Sequence, residues 1–128
     1  MQDTPNKEVN GVNVTALNET IEAVKGDHAI AKFIFQANNQ WLGGALNRTT
    51  INDYYGALEH QTRENPFVFD NDEPPVLLGE DRGANPVEFL LHGLAGCLTT
   101  TLAFHAASRG IEIEAISSEL KGDLDLRG

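Results

Sequence analysis

Cys97 is the only thiol in the chain and the first candidate for chemistry. A cysteine reacts as its thiolate, so it needs a cation, a helix N-terminus or a base beside it. Two histidines stand near it, within the run Pro86–Gly110, PVEFLLHGLAGCLTTTLAFHAASRG. If that run is helical, His92 falls about 140° around from Cys97, and His105 about 80° around and ~12 Å along. Neither can deprotonate the thiol within one helix, so both suit packing or interface positions. Glu88 falls about 180° from Cys97, where it suits the helix dipole and the ordering of the preceding loop. Arg48, Arg63 and Arg82 flank predicted strands and a loop. Any of them could reach a thiol after folding; the plainer reading is a solvated charge. His28 and His60 read as loop histidines. No histidine pair has ligand spacing such as HxxxH, so no metal site is predicted. From composition alone, a single cysteine among Leu, Ala and Gly is more often a small buried hydrophobe.

The element that must position these groups is the same run, Pro86–Gly110. Leu90, Leu91, Leu94, Leu98 and Leu102 recur at helical spacing. Apolar or small residues fill most of the remaining surface, which predicts a helix buried through its middle. Asn85 is its expected N-cap, Pro86 fits the first turn, and Arg109 with Gly110 supplies the stop. At 1.5 Å per residue it would be on the order of 35 Å long. His92, the threonines and His105 interrupt it too often for a membrane span.

Upstream, Met1–Gly11 is polar and reads as a loose arm. Val14–Lys25 is predicted as an amphipathic helix, with Val14, Leu17, Ile21 and Val24 on one stripe, Asn13 as cap and Gly26 as terminator. From Ala29 the period changes to two. Ala31, Phe33, Phe35 and Ala37 alternate with polar residues and Ile34 as a half-buried strand. Gly43-Gly44 breaks the chain, and Asn47–Tyr55 is a second predicted strand. Gly56–Pro66 reads as a polar connection and Phe67–Phe69 as a short strand. Val76–Leu78, after two prolines, is expected to be extended and near an edge. Beyond Gly110, Ile111, Ile113 and Ala115 open another strand towards Leu120. The pattern stops at Gly128 in mid-course, which predicts that a C-terminal part of the fold is absent.

This order of elements lacks regular βαβ alternation. It predicts one α+β domain over residues 1–128, incomplete at its C-terminus, with an antiparallel sheet packed on the long central helix. The net charge of −10 argues against a nucleic-acid or anionic-membrane partner, since phosphates need cations. The single cysteine suggests no disulfide scaffold, and the N-terminal residues show no apolar signal segment, so a cytoplasmic protein is expected. GGALNR lacks the lysine and hydroxyl residue of a phosphate loop, and no cofactor is predicted.

The segment DRGANPVEFLLHGLAGCLTTTLAFHAASRGIEIE resembles the signature of the OsmC/Ohr superfamily (osmotically inducible protein C, organic hydroperoxide resistance). The shared features are Asn85-Pro86, Glu88, the small-residue approach Leu94-Ala95-Gly96 to Cys97, and the exit Ala106–Ile111. A looser likeness to one OsmC-like subgroup extends back to about Lys32. The resemblance implies an α+β fold in which two subunits intertwine around paired central helices, with active sites at the dimer interface. It also implies thiol-dependent reduction of organic hydroperoxides. Cys97 then matches the peroxidatic cysteine, and Arg48 is the best match to the arginine from an early strand that activates it. In well-characterised members the catalytic glutamate lies one place earlier, where this chain has Val87; Glu88 is its neighbour. A resolving cysteine falls in the C-terminal part in the family and is not among these residues; either it belongs to a part of the fold beyond Gly128, or this subgroup has none and turnover needs an external thiol.

The reading that follows is a homodimeric, OsmC-like peroxidase in oxidative-stress defence. Cys97 would be its nucleophile, with Arg48 and Glu88 completing the catalytic set. The alternative is a non-catalytic dimer that holds a small apolar ligand at its subunit interface. A third possibility is a structural fragment that builds neither site.

Overall fold

The computed structural model describes residues 7–128. Two strands open the chain, β1 (Glu8–Val9) and β2 (Val12–Asn13), followed by α1 (Val14–Gly26). Strands β3 (Ile34–Phe35), β4 (Asn38–Trp41), β5 (Asn47–Ile51), β6 (Tyr54–Gly56), β7 (Glu59–Gln61) and β8 (Phe67–Asn71) come next, and α2 (Pro86–Ser108) closes the order. The class is α+β with antiparallel sheets, as the element order predicted. The described residues divide into two compact units. One joins the chain up to His28 with Leu91–Gly128; the other is the continuous stretch Ala29–Leu90.

In the first unit, part of the expected loose arm is ordered instead. β1 and β2 pair antiparallel, Glu8 with Asn13 and Val9 with Val12. Residues 1–6 lie outside the described residues. Asn10 and Gly11 make the tight reversal in left-handed backbone, φ 54° and 75°, a conformation that asparagine and glycine tolerate best. The Asn13 side chain caps α1 by accepting from the Ala16 amide at 2.9 Å. The core of this unit is small: Val12, Val14 and Ala107, with Val9 and Leu17 packed against it.

In the second unit the single strand predicted over Asn47–Tyr55 is two. Asn52 and Asp53 interrupt it, and its halves enter different sheets, β5 in β4-β5-β8 and β6 in β3-β6-β7. The predicted polar connection after Gly56 contains β7, which turns back on β6 with His60 opposite Tyr55. Phe33, Phe35 and Tyr54 stack along this sheet. Arg63 lies over the Tyr54 and Phe67 rings, 4.9 and 5.3 Å from their centroids, and donates to the Asn52 carbonyl at 2.8 Å.

Three further expectations are corrected. Val76–Leu78 is not extended: Pro75–Leu77 forms one 3₁₀ turn, because the proline fixes a helical φ and the amides of Leu77 and Leu78 reach back to Pro74 and Pro75. The segment after Gly110 does not form a strand. It is irregular from Ile111 onward, and the Asn10 side chain takes the place of a strand partner. Asn10 donates to the Ile111 carbonyl and accepts from the Ile113 amide, both at 2.8 Å.

The third correction concerns α2, whose extent matches the prediction to within two residues at its end. It is not buried through its middle. Leu90, Leu94, Leu98 and Leu102 are 75, 51, 55 and 52% exposed, and only Ala106 and Ala107 are buried. One chain leaves this apolar surface largely uncovered. By length and composition alone α2 would also suffice to cross a membrane, a test that core helices of soluble proteins pass as well.

Candidate functional site

The three residues singled out for chemistry fall in both units. Cys97 belongs to the unit containing Leu91–Gly128, Arg48 and Glu88 to Ala29–Leu90. Cys97 lies midway along α2 as an exposed free thiol. The expectation of a buried hydrophobe fails for it in the single chain.

Glu88 sits in the first turn of α2. The Asn85 side chain accepts from the Glu88 amide at 2.8 Å, and the Glu88 carboxylate accepts from the Asn85 amide at 3.0 Å. This is a reciprocal capping box with asparagine as cap, and it satisfies two backbone donors that helix geometry leaves orphaned. A ring contact adds to the anchor, Phe89 meeting Phe69 of β8 edge to face at 6.0 Å. The loop-ordering role expected for Glu88 is thus observed directly.

Arg48 lies on β5, in register with Asp70 of β8. Its Nε donates to Asp70 Oδ1 at 2.7 Å and its Nη2 to Oδ2 at 3.0 Å. This two-point hydrogen bond holds the Asp70 carboxyl below its ordinary range and raises the guanidinium above its own. Arg48 and Glu88 therefore have separate partners within their unit.

A fourth group emerges that sequence reasoning passed over. Asp72 is fully buried, directly after β8, and gathers the loop that feeds α2. Its Oδ1 accepts from the Glu73 amide at 2.8 Å. Its Oδ2 accepts from the Glu80 and Arg82 amides, each at 3.3 Å, and from Arg82 Nε at 3.1 Å. The backbone hydrogen bond from Glu73, followed by those involving Arg82 and Glu80, holds its carboxyl below the usual range against the opposing effect of burial. Gly79 passes so close to the Glu73 carbonyl that a Cβ there would collide with backbone. The available signal was the acidic turn Asp70–Glu73 followed nine residues later by Arg82 in GEDRG, a charge pairing whose reach only the folded loop reveals.

Among the histidines, His60 is on β7 rather than in a loop, with Nε2 3.2 Å from Asp53 Oδ2. His92 and His105 both lie on α2. No group of three or more His, Cys, Asp or Glu is placed to hold a metal ion among the described residues.

No curated protein matches the chain. The helix that carries Cys97, its exit at Gly110 and the segment beyond it all fall in one matched stretch. Residues 79–128 match the family model described as OsmC-like protein, a match consistent with the OsmC/Ohr superfamily.

Proposed function

We propose that the protein is a thiol-dependent peroxidase that reduces organic hydroperoxides, with Cys97 as its nucleophile. The observation that carries this reading is an exposed free thiol within the OsmC-like stretch of α2. The Cys97 thiolate attacks a peroxide oxygen, forming an S–O bond as the O–O bond breaks. The alkoxide leaves, takes a proton from water and departs as the alcohol, and Cys97 is left as a sulfenic acid. An external thiol condenses with it, releasing water and leaving a mixed disulfide. A second thiol then frees Cys97 and carries the disulfide away.

Arg48 is the proposed activating cation and Glu88 the acidic member of the set, both on the strength of the family resemblance. Asp70 engages Nε and Nη2 of Arg48, and a guanidinium carries further N–H donors that can face a thiolate. The same reading makes the protein a cytoplasmic homodimer; the dimer is supported by Leu90, Leu94 and Leu98 of α2, which one copy leaves uncovered.

The test is the rate of Cys97 oxidation by an organic hydroperoxide as a function of pH. Fast oxidation, absent in Cys97→Ser and much slowed in Arg48→Ala, is the expected result. A reaction no faster than that of a free low-molecular-weight thiol would sink the proposal.

A further inference from the structure

The last turns of α2 and the segment after it border an open groove of about 580 Å³, within the range of roughly 300–1,000 Å³ common to small-molecule sites. It lies entirely in the first unit, and Cys97 is not among its lining residues. One wall is a helical stripe, Leu102, His105, Ala106 and Arg109, at the i, i+3, i+4, i+7 spacing of a single face. The other comes from the irregular segment beyond the helix, where Ile111, Ile113, Ala115, Ile116 and Ser117 line the groove. Glu112 and Glu114 do not; Glu114 borders a separate, smaller groove beside Asn10.

The angle between the two walls is held locally. Gly110 turns in left-handed backbone at φ 68°, and the Ile111 and Gly110 amides donate to Ala106 and Ala107 at 2.9 and 3.0 Å. Asn10 then fixes both Ile111 and Ile113. Apart from His105 and Ser117 the walls are apolar, and Arg109 stands at their junction without an ion pair among the described residues. Its full positive charge outweighs the roughly half charge of the helix C-terminus beside it.

We propose that this groove binds a small amphipathic anion, a monocarboxylate with an apolar body, whose carboxylate is held by Arg109 and whose body lies between Leu102, Ala106 and Ile113. Charge complementarity selects the occupant. The chain as a whole carries −10, so its overall field repels anions. Non-specific adsorption on exposed leucines would instead favour a cationic amphiphile.

The test is calorimetric titration of the full chain with decanoate, 1-decanol and decyltrimethylammonium. Decanoate is expected to bind about 10-fold or more tighter than the alcohol, as a hydrogen-bonded ion pair implies, and tighter than the cation. Arg109→Ala should remove that preference, Arg109→Lys should keep part of it, and Cys97→Ser should leave it unchanged. Ile113→Ser should weaken decanoate and decanol alike. Equal affinity for acid and alcohol, preference for the cation, or a preference that survives Arg109→Ala would each overturn the assignment.

Discussion

Arg48 and Asp70 face each other across β5 and β8 and share a two-point ion pair, 2.7 and 3.0 Å long. Both side chains remain partly exposed, 48 and 30%, and pairs of this kind contribute little to stability because water and salt screen them. Asp70→Asn is therefore expected to move the melting temperature by only a degree or two. If Arg48 activates the Cys97 thiolate, Arg48→Ala should slow oxidation by an organic hydroperoxide about 10-fold or more. Stopped-flow oxidation of the two variants separates the effects; an unchanged rate in Arg48→Ala excludes Arg48 as activator.

Asp72 should matter more to the fold than Asp70. Its folded-state pKa is depressed, so its contribution is present above the unfolded aspartate value of about 3.9 and is lost as pH falls through the depressed folded value. Asp72→Asn should lower the melting temperature at pH 7 by roughly 5 °C or more and flatten the acid side of the stability curve below about pH 4. Thermal melts between pH 3 and 7 measure both effects. A variant that melts like the parent at neutral pH would show that the loop does not depend on this carboxylate.

The capping box gives Asn85 and Glu88 distinguishable signatures. Asn85→Ala should cost about 1 kcal/mol in urea denaturation, whereas Glu88→Gln, whose amide can still accept the Asn85 amide hydrogen, should cost only a few tenths. If Glu88 also serves the peroxide chemistry, Glu88→Gln should lower the oxidation rate at unchanged stability. An intact rate confines Glu88 to capping.

Asn10 provides a test of the tail. Asn10→Gly preserves the left-handed turn between β1 and β2 while deleting the two hydrogen bonds to Ile111 and Ile113. Amide exchange at Ile113 should then accelerate about 10-fold or more, the loss of one such bond being worth about 1 kcal/mol or somewhat more, while exchange in α1 should change little. Protection of Ile113 that survives the substitution would point to another partner.

What the sequence made legible was local. Asn13 and Asn85 announced both helix starts because a cap depends on residues within three or four positions. Apolar periodicity gave the helices and Phe67-Val68-Phe69 as strand. What it concealed depended on distant partners. The break at Asn52-Asp53 follows from β5 and β6 entering separate sheets, and the segment expected as a strand after Gly110 is bonded by an asparagine side chain rather than by a strand. The apolar circumference of α2 announced burial, but burial requires a covering surface, which periodicity cannot supply. Of the candidate site, Cys97 was legible by its type and motif; the partners of Arg48, twenty-two residues away, and of the Asp72 clasp were not.

The division into units also bears on the order in which the chain can fold during synthesis. Ala29–Leu90 is continuous, so its strands can pair as soon as they clear the ribosome. The other unit draws on both ends of the chain. Asn10 emerges about a hundred residues before Ile111 and Ile113, and Val12 and Val14 before Ala107. The first hairpin and α1 must therefore wait, with part of their core open, until translation delivers the end of α2. Contacts of such sequence separation form late and slowly, and over that interval the nascent N-terminal helix presents apolar surface to chaperones.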